Sequence, residues 1–527
     1  LRMSPVPADV RKLFYKVKKA QGVDITRCFC GLNDPRNIIA SIKYAKEAGM
    51  IAQATLSLTV SEVHNEKYFC QLADELIANG ADEICLKDMA GIGRPVTLGK
   101  IVKHIKTNYP NILVQYHGQT GPGFTPASIL EVCRNGCDII DVGMEPLSWG
   151  TGHADVIMVR EMLVDAGFKV PEIDMAAYMR VRALTQEFMD DFLGYFIPES
   201  NRRLQSLLIA SGLPGGMMGS LMNDLKDNLV SINKSLVKKG EPELTIDELL
   251  IKLFDEVAYV WPRVGYPPLV TPFSQYVKNL AMFNIMQLSK GKERWTMIAD
   301  NIWDMILGKA GKLPGEVDPV IKKLAKEQGR EFYAGDPQTL YPDKLEEFKK
   351  EMNEKGWDFG QDDEELFELA MHPEQYRAYK SGKAKADFEA ELAQEKAKKN
   401  PVPVSSEIKP QTVQVEVNGE KFIVNIAYGD TTNNISSSMP KTSKTEKPTG
   451  EIHDVVAPLE GKFYLTNSSS ETPVKEGDVV EKGDLLCYIE SMKTYNAITA
   501  DKAGKIVEIG FANGDSVDED DVLFKLQ

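Results

Sequence analysis

Lys493 is the residue whose surroundings most directly indicate chemistry, because it separates two stretches of sequence that repeat one another. Residues 457–478 contain Ala-Pro-Leu-Glu-Gly-Lys and then Val-Lys-Glu-Gly-Asp, and residues 500–515 return to Ala-Asp-Lys-Ala-Gly-Lys and then Ala-Asn-Gly-Asp. Short β-rich runs with Gly-Asp turns, related by an internal duplication, predict a flattened barrel of two similar halves. Lys493 would then occupy the tight turn between the halves, where a side chain protrudes furthest.

Residues 486–504 resemble the attachment hairpin of a biotinyl carrier domain, with Glu-Ser-Met-Lys-Thr at its centre. The resemblance implies covalent biotin on Lys493, with Met492 as part of the attachment motif. A lipoyl domain of the same fold and an ordinary surface lysine are the alternatives. Methionine before the lysine favours biotin over lipoate, although Thr494 stands where a second methionine is usual.

Polar residues at the ends of predicted strands form a second set that could do chemistry. Lys87 ends the run that begins at Ile84, and Gln115 and His117 are alternate residues of the next run. Alternate residues of a strand point to one face, and barrel enzymes place their sites at the carboxyl ends of strands. Thr271, in Val-Thr-Pro, offers a hydroxyl that can donate and accept a hydrogen bond at once.

The elements that must position these residues are apolar runs alternating with amphipathic stretches. The stretch from Tyr68 to Ile77, for example, has apolar residues at helical spacing. This alternation predicts parallel βα units, in an open sheet or a (β/α)8 barrel. Since such a barrel needs eight strands, we expect its N-terminal strands to be missing and the chain, which starts at Leu1, to be processed, split or incomplete. The predicted strands are 23–29, 52–60, 83–87, 112–117 and 138–143.

Several short motifs resemble the carboxyltransferase domain of pyruvate carboxylase, oxaloacetate decarboxylase α-subunit and transcarboxylase. Together with the carrier motif, they identify the chain as a member of the biotin-dependent carboxyltransferase subunits that carry a C-terminal biotin carrier domain. The resemblance implies an α/β fold with a (β/α)8 TIM-type barrel, then a helical domain, a small β segment with a flexible linker, and an all-β biotinyl domain. The motifs are Gly-Leu-Asn-Asp at 31–34, Lys-Asp-Met-Ala-Gly at 87–91, Leu-Pro-Gly-Gly at 213–216, residues 265–272 and residues 314–318.

In that family the lysine matching Lys87 is carbamylated and bridges to a divalent metal such as Zn, Mn or Co. An ammonium has no lone pair for coordination, whereas a carbamate offers anionic oxygens. His117 matches the second histidine of the family's His-x-His ligands, but Gln115 stands in place of the first and is a poor substitute for imidazole. The remaining ligand is an aspartate that would precede Leu1, so two of four ligands are present in this sequence.

The resemblance also assigns roles at the substrate. Thr271 matches the threonine that relays a proton between biotin and the substrate methyl group, and Arg2 matches the arginine that holds the substrate carboxylate. Cys30 stands where the family commonly has aspartate, and the segment before His153 departs from the usual sequence. We expect His153 to be a satisfied surface histidine.

The chain divides into four expected regions. Residues 1–165 form a partial carboxyltransferase TIM barrel, residues 166–400 a helical carboxyltransferase domain, and residues 451–527 the biotinyl carrier domain. Between them, residues 401–450 combine a β-hairpin around Asn-Gly with a linker rich in Thr, Ser, Asn, Lys and Pro, whose composition predicts a mobile tether.

Composition limits the compartment and the partners. The 527 residues carry a net charge of −15, which argues against nucleic acid and anionic membranes as primary partners. Seven cysteines without a C-x-x-C pair indicate reduced thiols, and no apolar run is long enough to span a membrane. We therefore expect a cytoplasmic protein, in free form or bound to the cytoplasmic face of a membrane complex.

The function implied by the resemblance is movement of a carboxyl group between carboxybiotin on Lys493 and a small 2-oxoacid, pyruvate or oxaloacetate. The residues do not fix its direction. No biotin carboxylase fits in this length, so the implied partners are a biotin carboxylase subunit or a membrane decarboxylase subunit, together with biotin protein ligase and further copies of this chain. The alternative, motivated by Gln115 and Cys30, is a biotin carrier and assembly scaffold with a degenerate, catalytically weak barrel.

Overall fold

The protein is described by a computed structural model that covers residues 5–207, 209, 212–213, 217–399, 411–417, 420–426, 452–466, 472–491 and 494–527. Three kinds of secondary structure follow one another along these residues. A parallel sheet with helices comes first, a set of helices follows, and small antiparallel sheets end the chain.

The N-terminal part is a parallel α/β sheet whose five described strands lie side by side in chain order. Each strand is followed by a helix, as in the predicted βα units, and the strand-to-strand registers are all parallel. The elements are α1 (Ala8–Ala20), β1 (Ile25–Cys28), α2 (Pro35–Glu47), β2 (Ile51–Ser57), α3 (Glu66–Ala78), β3 (Glu83–Asp88), α4 (Pro95–Asn108), β4 (Leu113–Gly118), α5 (Thr125–Arg134), β5 (Ile139–Ile140) and α6 (Val156–Asp165).

Local sequence explains where these elements begin. The Asp34 carboxylate accepts a hydrogen bond from the backbone N–H of Arg36 and caps α2, and Asn65 caps α3 in the same way. In β2 every residue after Ile51 is buried, which is typical of a strand covered on both faces. All five predicted strands are therefore present, but β5 is much shorter than the expected run 138–143, because Gly143 pairs with the Ala154–Val156 segment instead of β4.

The helical part has few strands, as the sequence predicts. Its described elements are α7 (Met175–Phe188), a π-helical turn (Met189–Leu193), α8 (Gly194–Phe196), α9 (Met218–Lys238), α10 (Ile246–Arg263), α11 (Phe273–Ser289), α12 (Asp300–Ile306), α13 (Pro319–Glu327), α14 (Leu345–Lys355), α15 (Glu364–Met371), α16 (Pro373–Lys380) and α17 (Lys383–Lys399), with 3-10 turns at Glu199–Arg202, Pro337–Leu340 and Gln361–Asp363.

The first helix belongs with late helices in space. Val10, Leu13 and Val17 of α1 pack with Leu366 and Phe367 of α15 in one buried cluster. A late helix of the helical part therefore packs against the first helix of the α/β part.

The C-terminal part contains two four-stranded antiparallel sheets, with orders β10-β13-β15-β8 and β12-β11-β9-β14. Phe463 and Phe524, one from each sheet, are fully buried with ring centroids 5.9 Å apart, which confirms the predicted flattened barrel of two halves. Its strands are β8 (His453–Val456), β9 (Gly461–Tyr464), β10 (Val479–Val480), β11 (Leu485–Ser491), β12 (Thr494–Thr499), β13 (Gly504–Ile509), β14 (Ser516–Val517) and β15 (Val522–Leu526).

A separate hairpin precedes the carrier domain. Strands β6 (Gln411–Val417) and β7 (Glu420–Ile426) pair in antiparallel register, as the alternating sequence predicts. The Asn-Gly turn between them and the expected tether at 430–450 lie outside the described residues. Among the helices that the structure describes, none is both long enough and apolar enough to cross a bilayer.

Candidate active site

The inward face of the parallel sheet carries polar side chains at matching levels of neighbouring strands. Lys87 on β3 stands in register with Ser57 on β2 and with His117 on β4. One level lower, Cys85 stands opposite Gln115. Because parallel strands end at the same edge, Lys87 and His117 meet at the carboxyl end of the sheet, where the sequence places the site.

Asp141 organises this edge. Its carboxylate lies 2.6 Å from Nδ1 of His117 and 3.2 Å from a guanidinium nitrogen of Arg27. Burial alone would raise the pKa of Asp141, but the His117 hydrogen bond, the Arg27 charge and the Gln115 amide lower it to about 2. A carboxylate only accepts hydrogen bonds, so Nδ1 of His117 carries the proton in this contact. The same ring nitrogen lies 3.1 Å from the Arg27 guanidinium.

Both the nitrogen and the oxygen of the Gln115 side-chain amide form hydrogen bonds. Its NH2 group donates to Asp141, and its carbonyl oxygen accepts from Nε2 of Gln53 at 2.7 Å. Gln53 in turn accepts from Nε of Arg27 at 2.7 Å and donates to Glu83 at 2.8 Å. A chain of hydrogen bonds therefore crosses the sheet and fixes the orientation of Arg27 and Gln115.

His153 is a satisfied histidine, as the sequence led us to expect, but it is half-buried at the site and does not lie on the open surface. Its ring lies against that of His117, edge to face, with centroids 4.4 Å apart. Its Nδ1–H donates to the carbonyl of Gly118 at 2.8 Å, and burial together with the nearby His117 lowers its pKa. The Gln119–His153 bridge brings the segment after β5 back to the end of β4, a contact between distant residues that spacing does not reveal.

A cavity of about 810 Å³ opens at this edge. Arg27, Phe29 and Lys87 of the sheet line it, together with Thr271 of the segment before α11. The structure thus brings together two of the predicted catalytic residues, Lys87 and Thr271, although they are far apart in sequence.

Lys87 is largely enclosed at the cavity wall. Its ammonium lies 4.0 Å from the ring centroid of Phe29, a cation–π contact. Burial lowers the pKa of Lys87, and the positive charge of Arg27 acts in the same direction. The nearby carboxylate of Asp141 pairs with Arg27 and His117, and among the described residues Lys87 has no carboxylate partner.

The loop after β1 positions Thr271. A Cβ atom on Gly31 would lie 2.7 Å from the Phe273 ring and 3.6 Å from the carbonyl oxygen of Thr271, so only glycine allows this close approach. Asn33 pins the same loop to β2 by two hydrogen bonds of 2.9 Å with the backbone of Ser57. The Gly-Leu-Asn-Asp motif is therefore a structural support of the cavity.

The residues at this edge of the sheet do not provide the set of ligands that the resemblance implies for a divalent metal. Both ends of the Gln115 amide are used by protein partners, and its oxygen faces a hydrogen-bond donor. Across the described residues there is also no group of three His, Cys, Asp or Glu side chains that could hold a metal ion.

Other predicted site residues lie outside the described residues, namely Arg2, Met492 and Lys493. The strands that flank the last two are described. Ser491 pairs with Thr494 at the end of the β11–β12 hairpin, so the backbone register agrees with the predicted hairpin turn.

Sequence reasoning missed Arg27, Asp141 and Gln53. Arg27 is a charged residue inside an apolar run, and Asp141 follows two isoleucines at a strand end. Both positions could therefore have been selected from the sequence as candidate site residues. Alternation along the strands would have placed their side chains on the inward face.

Family models match the chain in three consecutive stretches. A model described as "HMGL-like" matches residues 35–185, one described as "Conserved carboxylase domain" matches residues 209–425, and one described as "Biotin-requiring enzyme" matches residues 453–526.

Curated relatives agree with this order of domains. The methylmalonyl-CoA carboxyltransferase 5S subunit of Propionibacterium freudenreichii subsp. shermanii is 31% identical over 369 residues, which cover 69% of this chain and 68% of that protein. A pyruvate carboxylase subunit of Methanocaldococcus jannaschii is 29% identical over 502 residues, 92% of this chain and 78% of that protein.

Solved structures share the fold. The carboxyl transferase domain of Rhizobium etli pyruvate carboxylase with pyruvate and biocytin superposes with a TM-score of 0.57 at 18% identity, covering 94% of this chain and 74% of that one. This chain spans 48% of the complete pyruvate carboxylase of the same organism.

A barrel-type sheet with a polar cavity, a helical domain and a biotinyl domain in one polypeptide define a carboxyl-transferring class of enzyme. The chain belongs to the family of biotin-dependent carboxyltransferase subunits.

Proposed function

We propose that this chain moves a carboxyl group between carboxybiotin on Lys493 and a small 2-oxoacid, with pyruvate and oxaloacetate as the pair. The observation that carries the proposal is the cavity that joins Lys87 of the sheet with Thr271 of the helical part, in a chain that also holds a biotinyl domain. Archaeal relatives named as pyruvate carboxylase subunits support the choice of 2-oxoacid.

The reaction balances without a further reactant. In the forward direction the N–C bond of carboxybiotin breaks, a C–C bond forms at the methyl carbon of pyruvate, and one methyl proton moves to the biotin nitrogen. In the reverse direction oxaloacetate loses its carboxyl group to biotin, and the biotin proton returns to the carbon. The difficult step is the formation of the pyruvate enolate, which carries negative charge on the former keto oxygen. The site must therefore supply positive charge near that oxygen.

Different side chains of this protein transfer the proton and supply the positive charge. We assign to Thr271 the transfer of the proton, because its hydroxyl can give one proton while accepting another. Lys87 and Arg27 line the same cavity, and we assign to them the binding of the substrate oxygens. Arg27 is oriented by Gln53 and Asp141, so its charge is fixed in position before substrate enters.

We also propose the surroundings in which the chain acts. The carboxyl donor or acceptor is a separate biotin carboxylase subunit or a membrane decarboxylase subunit, and biotin protein ligase attaches the cofactor to Lys493. All seven cysteines are free thiols. A reducing, cytoplasmic setting suits them, and further copies of the chain complete the assembly.

The catalytic function is favoured over the scaffold alternative, because the relatives are carboxyltransferases and the cavity retains oriented cations. Isotope exchange tests it, since labelled pyruvate and unlabelled oxaloacetate exchange label on an isolated biotinylated chain without ATP or a partner. We expect exchange in the native chain and none in Lys493→Arg. If a fully biotinylated chain exchanges no label with any 2-oxoacid, the scaffold function holds.

Thr271→Ala should lower this exchange by about a hundredfold or more, in the range known for loss of a positioned acid–base group. The matched control is Thr296→Ala, which removes an exposed threonine outside the cavity. Biotin attachment to Lys493, measured by intact mass, should be unchanged in both variants. Normal exchange by Thr271→Ala would remove the proton relay from the mechanism.

A further inference from the structure

Arg27 is a firmly held cation of the cavity. Its Nε donates to Gln53 at 2.7 Å, and its Nη1 lies 3.2 Å from Asp141 and 3.1 Å from Nδ1 of His117. A guanidinium has five N–H donors and keeps its charge in proteins. These contacts use Nε and Nη1, so within the described residues the N–H groups of Nη2 have no acceptor. The side chain is 27% exposed and lines the cavity, so this end can bind an anion that enters.

Gln115 completes a ring of hydrogen bonds that fixes Arg27. Arg27 donates to Gln53, and Gln53 donates to Gln115. Gln115 donates to Asp141, which also accepts from Arg27. The ring needs at position 115 a side chain that donates and accepts at the same time, as an amide does. An imidazole with one nitrogen on a metal has only its other N–H left, so it would open this ring.

Lys87 is placed as an ammonium and is poorly placed as a carbamate. Its Nζ lies over the ring of Phe29, 4.0 Å from the centroid. The face of an aromatic ring carries negative charge, so it attracts an ammonium and repels an anion at the same place. The carbamate that a metal would require of Lys87 is therefore disfavoured by its own surroundings.

The charges around His117 also oppose a divalent ion. Arg27 lies beside its ring, and Lys87 is its neighbour on the adjoining strand. One carboxylate lies at this level, Asp141, and it is shared by Arg27 and His117. Glu83 begins β3 four residues before Lys87, roughly 13 Å away along the strand. A dication bound to His117 would thus stand among positive charges whose nearby carboxylate is already used.

We infer that Arg27 supplies in this chain the positive charge that the resemblance assigns to a divalent metal, so that carboxyl transfer here needs no metal ion. The inference rests on the proposed function and names its electrophile. The N–C bond of carboxybiotin breaks, the methyl proton of pyruvate passes through Thr271 to the biotin nitrogen, and the enolate carbon forms the new C–C bond. Arg27 binds the enolate oxygen through its N–H groups and keeps all its protons.

Metal analysis combined with isotope exchange is the first test. The native biotinylated chain is dialysed against a chelator, and exchange of label between pyruvate and oxaloacetate is measured before and after. We expect substoichiometric zinc, manganese and cobalt and an unchanged exchange rate. Stoichiometric metal, with exchange that is lost on its removal and restored on its return, would overturn the inference alone. Exchange absent before and after dialysis would refute the proposed function, and this inference with it.

Substitution of Arg27 tests the electrophile itself. Arg27→Ala should lower exchange by about a hundredfold or more, the effect of losing a fixed donor to a developing oxyanion. Ethylguanidinium should restore much of the exchange, because it can refill the vacated position, and a purely structural role would not respond in this way. Arg134→Ala, which removes an exposed arginine at the end of α5, is the control and should match the native chain in both conditions.

Arg27→Lys covers the case in which the alanine variant does not fold. It keeps the charge but loses the planar pair of donors, so exchange should fall by about tenfold while urea unfolding stays close to native. Native exchange in Arg27→Lys, or exchange in Arg27→Ala that is restored by zinc, manganese or cobalt and not by ethylguanidinium, would contradict the role of Arg27.

The state of Lys87 gives a readout that is independent of activity. The native chain is incubated with ¹³C-bicarbonate, carbamates are trapped by methylation, and the Lys87 peptide is analysed by mass spectrometry. We expect an unmodified lysine. Free amino groups at the chain start and a small carbamylated peptide added to the sample control for the trapping. A fully carbamylated Lys87 would contradict the inference.

Discussion

At the scale of single residues, Asp141 is the acceptor that links three side chains of the site. This carboxylate accepts from His117, Arg27 and Gln115 together. In this arrangement one half-buried negative charge offsets the Arg27 charge and orients the His117 ring. The substitution of glutamine at position 115 is therefore accommodated by a complete hydrogen-bond network and leaves no unpaired amide.

Asp141→Asn should destabilise the protein by about 1.5–3 kcal/mol at neutral pH, because hydrogen bonds to charged groups contribute in this range. The folded-state pKa of Asp141 is lowered to about 2 from 3.8. Its contribution is thus complete above pH 4 and is lost as the pH falls through 2. Urea unfolding should show a native-to-variant difference that shrinks over this window. Asp165→Asn, at an exposed helix end, should show no such difference.

At the scale of elements, the site depends on how closely two loops approach one another. Gly31 allows the loop after β1 to lie against Phe273, which follows Thr271 by two residues. The contact links a strand of the sheet to the segment that begins α11. Any displacement there moves the hydroxyl of Thr271 relative to Lys87.

Gly31→Ala should therefore lower kcat by about tenfold with little change in KM, while destabilising the protein by about 1–3 kcal/mol through overpacking. Steady-state kinetics and urea unfolding measure the two effects. The double variant Gly31→Ala with Phe273→Leu removes the ring that the new Cβ would meet. Recovery of kcat in the double variant is expected, and a kcat unchanged by Gly31→Ala would argue against this positioning role.

The sequence predicted the elements better than their contacts. Strand, helix and carrier patterns depend on residues close in sequence, and β1 to β4 and the β6–β7 hairpin were found nearly where expected. The end of the fifth run was not predicted, because its partner is the distant Ala154–Val156 segment. The packing of His153 on His117 was missed for the same reason, since it requires the chain after β5 to return to β4.

At the scale of the whole molecule, the cavity belongs to no single region of the chain. Arg27 and Lys87 come from the sheet, and Thr271 and Asp304 come from the helical part. Helix α1 of the α/β part also packs against α15 of the helical part. The expected boundary near residue 165 therefore separates two sequence patterns, and the catalytic cavity lies across it. Lys290 of the helical part also contacts Glu519 and Pro458 of the carrier domain.

The most direct measurement of the central claim is the transfer of a labelled carboxyl group onto the Lys493 peptide. Isolated biotinylated chain is mixed with oxaloacetate that carries ¹³C in the transferable carboxyl group, carboxybiotin is trapped by methylation, and peptides are analysed by mass spectrometry. The account predicts labelled carboxybiotin on the Lys493 peptide in the native chain and strongly reduced label in Thr271→Ala. Fully biotinylated native chain without any label, whichever 2-oxoacid is supplied, would contradict it.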